Sequence, residues 1–248
     1  MNTTPDLRAS LEGLYRVFSI YPLSEYTDPC LHCHSIDDEA KLHSLPLRQL
    51  GIAELRDYAA DALSVWGGVN DFKHFLPRIF ELFVNSADPS LDLIDSEILF
   101  SKFRHGKWQS WPQAEQIAIK SFLHALWTEV LNDPPDTGSF MDIESWLCTI
   151  AQAEDDLSPY LSQWIEDSRS SASFALSSML LGTGIAESSS TSRNAFWEDR
   201  DEQYVQVQNW TRTLPVIQKL KQALDTCDTP TCSSEFEAAL GVLEAARQ

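Results

Sequence analysis

The sequence predicts an all-α fold, and three observations carry that expectation. Apolar residues recur at intervals of three and four along most of the 248-residue chain. Glycine and proline mainly separate those runs, and no segment alternates apolar with polar residues as a half-buried strand does. The architecture expected is an irregular multi-helix bundle of about ten helices, with solenoid-like stacked helix pairs as a variant. A single domain over 1–248 is expected, with a flexible loop or sub-boundary at 182–193, where the sequence reads GTGIAESSSTSR.

The first helix is announced by Thr4 as cap, Pro5 at the first helical position, Asp6 in the first turn, and Leu7, Leu11, Leu14, Val17 and Phe18 at helical spacing. From Tyr21 to Ser35 the periodicity stops, and Pro22, Pro29, Cys30, His32, Cys33 and His34 crowd into a loop. A short helix is expected over Asp37–His43 and a longer one over Ile52–Trp66, stopped by Gly67 and Gly68. Asn70 is the expected cap of the next helix, whose stripe is Phe72, Phe75, Leu76, Ile79 and Phe83. Pro77 is expected to kink it or to begin a fresh turn. Further helices are read over Ser96–Arg104, Trp111–Asn132 with Ser110 as cap, Met141–Ala153, Leu157–Asp167 and Ser170–Leu181. Three more close the chain, over Asn194–Thr211, Leu214–Thr226 and Ser233–Ala246.

Composition narrows the function. With 43% hydrophobic and 22% charged residues the chain is expected to fold unaided. Eighteen Lys and Arg against thirty-seven Asp and Glu leave a net charge of -19, which repels nucleic-acid phosphates and anionic membrane surfaces and suits a basic protein partner. The first twenty residues lack the continuous apolar stretch of a signal peptide, and no segment has the roughly 18 apolar residues of a membrane helix, so a cytoplasmic protein is expected. Five cysteines in that compartment point to reduced thiols or metal ligands rather than a disulfide framework.

Chemistry concentrates in Cys30-Leu31-His32-Cys33-His34. The run matches the haem-attachment pattern in letters, but that chemistry belongs with export. The two-residue spacing also lets both thiolates reach one tetrahedral zinc ion, with His34 and His43 as further candidate ligands, although no second cysteine pair follows within reach. A thioredoxin-like use of the pair would need a preceding strand, and none is predicted. No His-Glu-x-x-His helix, phosphate-binding glycine loop, EF-hand loop or Gly-x-Ser-x-Gly elbow occurs.

The stretch Leu55–Leu82, LRDYAADALSVWGGVNDFKHFLPRIFEL, resembles a bacterial family of uncharacterised proteins in which a cysteine-containing loop precedes a Trp-Gly turn and an Asp-Phe-Lys-His-Phe-Leu-Pro-Arg helix. Cys30, Cys33, Trp66, Gly67 and Asp71 to Arg78 carry the match. The resemblance covers about the first third of the chain and implies a bacterial cytosolic origin, with no stated activity. Within the motif Lys73, His74 and Arg78 form a candidate basic spot in an acidic protein.

Between Ser121 and Ser168 there are ten acids and no Lys or Arg, interleaved with Trp127, Trp146, Tyr160 and Trp164. Glu144, Glu154, Asp155, Asp156 and Trp164 are therefore candidate contacts for a basic partner. The function expected is that of a non-enzymatic binding protein, an inhibitor or immunity-type protein among the options, with no cofactor. The alternatives are a zinc-binding module or metal-dependent enzyme built on the Cys30/Cys33 loop, and a helical scaffold.

Overall fold

The computed structural model describes residues 4–86, 93–133, 142–186 and 194–246. These contain twelve α-helices, three short 3-10 segments and no strand beyond two isolated bridges. The chain forms two compact units, 1–126 and 127–248. The division falls inside one long helix; residues 182–186 belong to the second unit, and 187–193 lie outside the described residues.

Unit 1 holds α1 (Pro5–Phe18), α2 (Ile36–Leu42), α3 (Ile52–Asp61), α4 (Val69–Asn85), α5 (Ser96–His105) and the start of α6 (Gln113–Asn132). Thr4 caps α1 as expected, accepting from the Leu7 amide at 3.4 Å. The α1 stripe of Leu7, Leu11, Leu14 and Phe18 is buried, and α1 packs mainly on α4. Helix α4 supplies the centre of the core: the Phe80 ring lies 5.2 Å from Phe100, 5.1 Å from Phe103 and 5.1 Å from Phe122. Each such buried phenylalanine contributes on the order of 2 kcal/mol of apolar burial.

Four local expectations are corrected. Helix α3 ends at Asp61 rather than Trp66, because Leu63 turns into the left-handed region (φ 67) and Trp66 pairs with Pro29 and Ala62 in isolated bridges. Helix α4 starts one turn before Phe72, with Gly68 as its cap: the Asp71 carboxylate reaches back to accept the Gly68 amide at 2.8 Å, so Asn70 lies inside the helix. Pro77 does not begin a fresh turn: α4 is continuous from Val69 to Asn85 with Pro77 inside it. Ser110 does not cap α6; its hydroxyl donates to the Lys107 carbonyl at 2.7 Å within a 3-10 turn over Trp108–Ser110.

Unit 2 follows with the rest of α6, then α7 (Ile143–Ala153), α8 (Ser158–Glu166), α9 (Ser170–Gly182), a 3-10 segment over Ala195–Arg200, α10 (Asp201–Thr211), α11 (Leu214–Asp225) and α12 (Pro230–Ala245). Helix α9 has apolar or small residues around its whole circumference, so it is covered on several sides, by α7, α11 and α12. Its neighbour Trp164 lies between Trp127 and Trp210, with ring centroids 5.4 and 5.2 Å away.

The expectation that all five cysteines are reduced or ligate metal fails for two of them. Cys227 and Cys232 form a disulfide. The turn from α11 into α12, where Thr229 caps and Pro230 starts the helix, brings their Cα atoms to 5.7 Å, within the span that a disulfide bridges.

Candidate functional site

Two regions carry chemistry that packing alone does not require. The first is the cysteine loop of unit 1. Its turn is closed by the Cys33 and His34 amides, both donating to the Cys30 carbonyl at 2.9 Å. The Cys30 amide in turn donates to Val65 at 2.8 Å, which ties the loop to the Trp66-Gly67 turn. Gly67 has φ 69, and a Cβ there would lie 3.2 Å from Cβ of Asp71, so the turn needs glycine.

Behind the loop stands a buried acceptor. The Glu39 carboxylate receives the Thr27 amide (2.7 Å), the Thr27 hydroxyl, the Trp66 indole N–H (3.1 Å) and the His43 ring at Nε2 (3.1 Å). Burial raises its pKa, and these donors outweigh burial, leaving Glu39 below the ordinary carboxylate value. His34 stacks against Trp66 with centroids 4.3 Å apart, and its Nε2 lies 2.8 Å from Asp61.

The candidate zinc ligands are thus divided. Cys30 and Cys33 share one exposed turn, whereas His34 faces Asp61 and His43 faces Glu39. Among the described residues no group of three or more His, Cys, Asp or Glu side chains is arranged to hold a metal ion. The two thiols differ from one another. Backbone amides of His32 and Cys33, together with the Cys33 thiol, lower the Cys30 pKa, while the hydrogen bond to Cys30 raises that of Cys33.

The candidate basic spot on α4 is used internally. Lys73 is buried, 2.7 Å from Glu115 and 3.0 Å from the Tyr21 hydroxyl, which itself donates to Glu115 at 2.6 Å. His74 meets the Tyr21 carbonyl at 2.8 Å through Nδ1. Arg78 donates to the Leu50 carbonyl at 2.7 Å and to Glu81 at 2.6 Å.

The second region is on unit 2. Of the residues expected to meet a partner, Trp164 is fully buried and donates to the Ala172 carbonyl at 2.8 Å. Glu144 is buried and accepts the Trp197 indole N–H at 2.7 Å, and Glu154 is buried and accepts the Tyr160 hydroxyl at 3.0 Å. Asp155 and Asp156 are exposed. Asp155 pairs with Arg200 at 2.8 Å, and Asp156 accepts from Gln206 at 2.8 Å and from the Ser158 amide at 2.9 Å.

Asp155 does, however, line a shallow concavity together with Glu198, Asp199, Arg200, Asp201, Glu202 and Gln203. The four acids from 198 to 202 are exposed, while the guanidinium of Arg200 is buried and donates to the Glu154 carbonyl at 2.6 Å. These four were not among the sequence candidates, although the run WEDRDE over 197–202 was the signal for them. Comparison with protein-family models, with curated proteins and with solved structures finds no match to this chain.

Proposed function

We propose that this chain is an acidic helical protein whose unit 2 binds a basic protein partner in a non-enzymatic role, as an inhibitor or immunity-type protein acting in the bacterial cytosol. The observation that supports this reading is the acidic shoulder: Asp155, Glu198, Asp199, Asp201 and Glu202 border one concavity and outnumber the single cation lining it, the buried Arg200, which is shared between the Glu154 carbonyl and Asp155. Within a chain of net charge -19, such a shoulder adds a local field that accelerates encounter with a positive surface. Phe196, 38% exposed at the start of the same segment, supplies apolar contact area beside the acids.

The test compares wild type, E198K/E202K and a control of equal charge change on unit 1, E25K/D57K. Partners are captured by cross-linking in cells, and the basic one is then purified for kinetics. Association with it is expected to slow about ten-fold in E198K/E202K, to slow little in the control, and to weaken as salt is raised. Equal effects of the two variants, or indifference to salt, would overturn the reading.

A further inference from the structure

We propose that Cys30 and Cys33 form a reversible dithiol–disulfide centre that reduces disulfide bonds presented on apolar surfaces, an activity separate from the acidic face of unit 2. The two thiols, with two residues between them, sit in one exposed turn that is closed by hydrogen bonds from the Cys33 and His34 amides to the Cys30 carbonyl. The turn is held from both sides: Cys30 is tied to Val65, Pro29 pairs with Trp66, and the His34 ring rests on that same indole. Such anchoring presents both sulfurs at the surface without burying either. The remaining cysteine outside the Cys227–Cys232 disulfide, Cys148, is buried and so sits outside this chemistry.

Two non-glycine residues take positive φ in the segments that form this anchoring: Asp28 (φ 55), just before the turn, and Leu63 (φ 67), whose amide donates to the Trp66 carbonyl. Exposed apolar residues stand in the cysteine loop and in the turn bonded to it. Leu31 is 65% exposed between the cysteines, Ile36 73%, Tyr26 47% and Val65 37%. The Val65 carbonyl accepts a hydrogen bond from the Cys30 amide, so a substrate with an apolar flank gains contact area close to the reacting sulfur.

The chemistry balances with the substrate disulfide as sole oxidant. Cys30 attacks as the thiolate, which the His32 and Cys33 amides favour. One sulfur of R–S–S–R′ becomes bonded to Cys30, and the departing R′–S⁻ takes up the proton that Cys30 released. Cys33 then loses its proton and attacks Sγ of Cys30, forming the Cys30–Cys33 bond and expelling R–S⁻, which is protonated in turn. Two electrons pass from the dithiol to the substrate, and excess thiol returns the pair by the reverse steps.

The full chain is incubated with glutathione disulfide, and separately with a short peptide disulfide flanked by leucines, followed by alkylation and mass mapping. A Cys30–Cys33 bond is expected to appear in oxidising and vanish in reducing glutathione buffer. Cys33→Ser is expected to trap glutathione at Cys30 about ten-fold faster than Cys30→Ser traps it at Cys33. Leu31→Ser is expected to slow the peptide reaction and to leave the glutathione reaction unchanged. Helical circular dichroism verifies that each variant is folded. Equal trapping rates, absence of the 30–33 bond, or a stoichiometric metal ion that shields both thiols from alkylation would overturn the proposal. An unchanged peptide rate in Leu31→Ser would overturn its apolar substrate class.

Discussion

Glu39 shows how one side chain can hold a loop that has no regular structure. Its carboxylate collects donors from Thr27, Trp66 and His43, so the irregular stretch before α2 and the turn after α3 are pinned to one buried acceptor. Glu39→Gln leaves a single acceptor oxygen and adds two N–H donors to a site already full of donors. The expected cost is about 3 kcal/mol, read as a lower urea midpoint. The sign of the pH effect follows from the depressed pKa. The contribution of Glu39 is complete above the ordinary value of 4.5 and is lost as the pH falls through the lower folded-state value. The stability difference between wild type and Glu39→Gln is therefore expected to shrink on acidification below pH 4.5; a constant difference would contradict this assignment. In the sequence Glu39 is only one of three acids in the first turn of a short helix, because its donors come from residues up to 27 positions away.

Among the helices, α4 and α6 are joined in unit 1 by a buried ion pair that also takes in a loop tyrosine. Lys73 and Glu115 expose only 6% and 2% of their side chains and share the Tyr21 hydroxyl. Removing one charge strands the other, so Lys73→Met is expected to cost about 4 kcal/mol. The double variant Lys73→Met/Glu115→Gln is expected to fall within about 2 kcal/mol of wild type, and a double-mutant cycle by chemical denaturation measures the coupling. In unit 2 the α11–α12 turn carries the Cys227–Cys232 disulfide, which closes a loop with a separation of five residues. A loop this short restricts the unfolded chain modestly, so Cys227→Ser/Cys232→Ser is expected to lose about 2 kcal/mol of unit 2 stability. Unchanged unfolding on reduction would refute that contribution. The stripes of α1 and α4 were legible from spacing, since a helix places i, i+3 and i+4 on one face. The end of α3 was not, because Trp66 continues that spacing yet leaves the helix to pair with Pro29.

Across the chain, thirty-seven acids against eighteen bases produce self-repulsion that the folded state concentrates and the unfolded state relieves. Raising ionic strength from about 10 mM to about 150 mM shortens the Debye length from about 30 to about 8 Å, so thermal stability is expected to rise by a few degrees. A melting temperature that falls with sodium chloride would show that specific ion pairs such as Lys73–Glu115 outweigh net repulsion. Composition and periodicity by themselves determined the helical class, the position of most helices, the acidic balance and the crowding of Cys30 and Cys33 into one loop, because each is a local property of the chain. Which acids and aromatics face solvent was decided only by tertiary structure. Glu144 is turned inward by Trp197, 53 residues later, Trp164 by Trp127 and Trp210, and Lys73 by Tyr21 and Glu115. The physical reason is that burial of a polar group depends on finding its partner, and those partners arrive from distant segments that spacing along one helix does not encode.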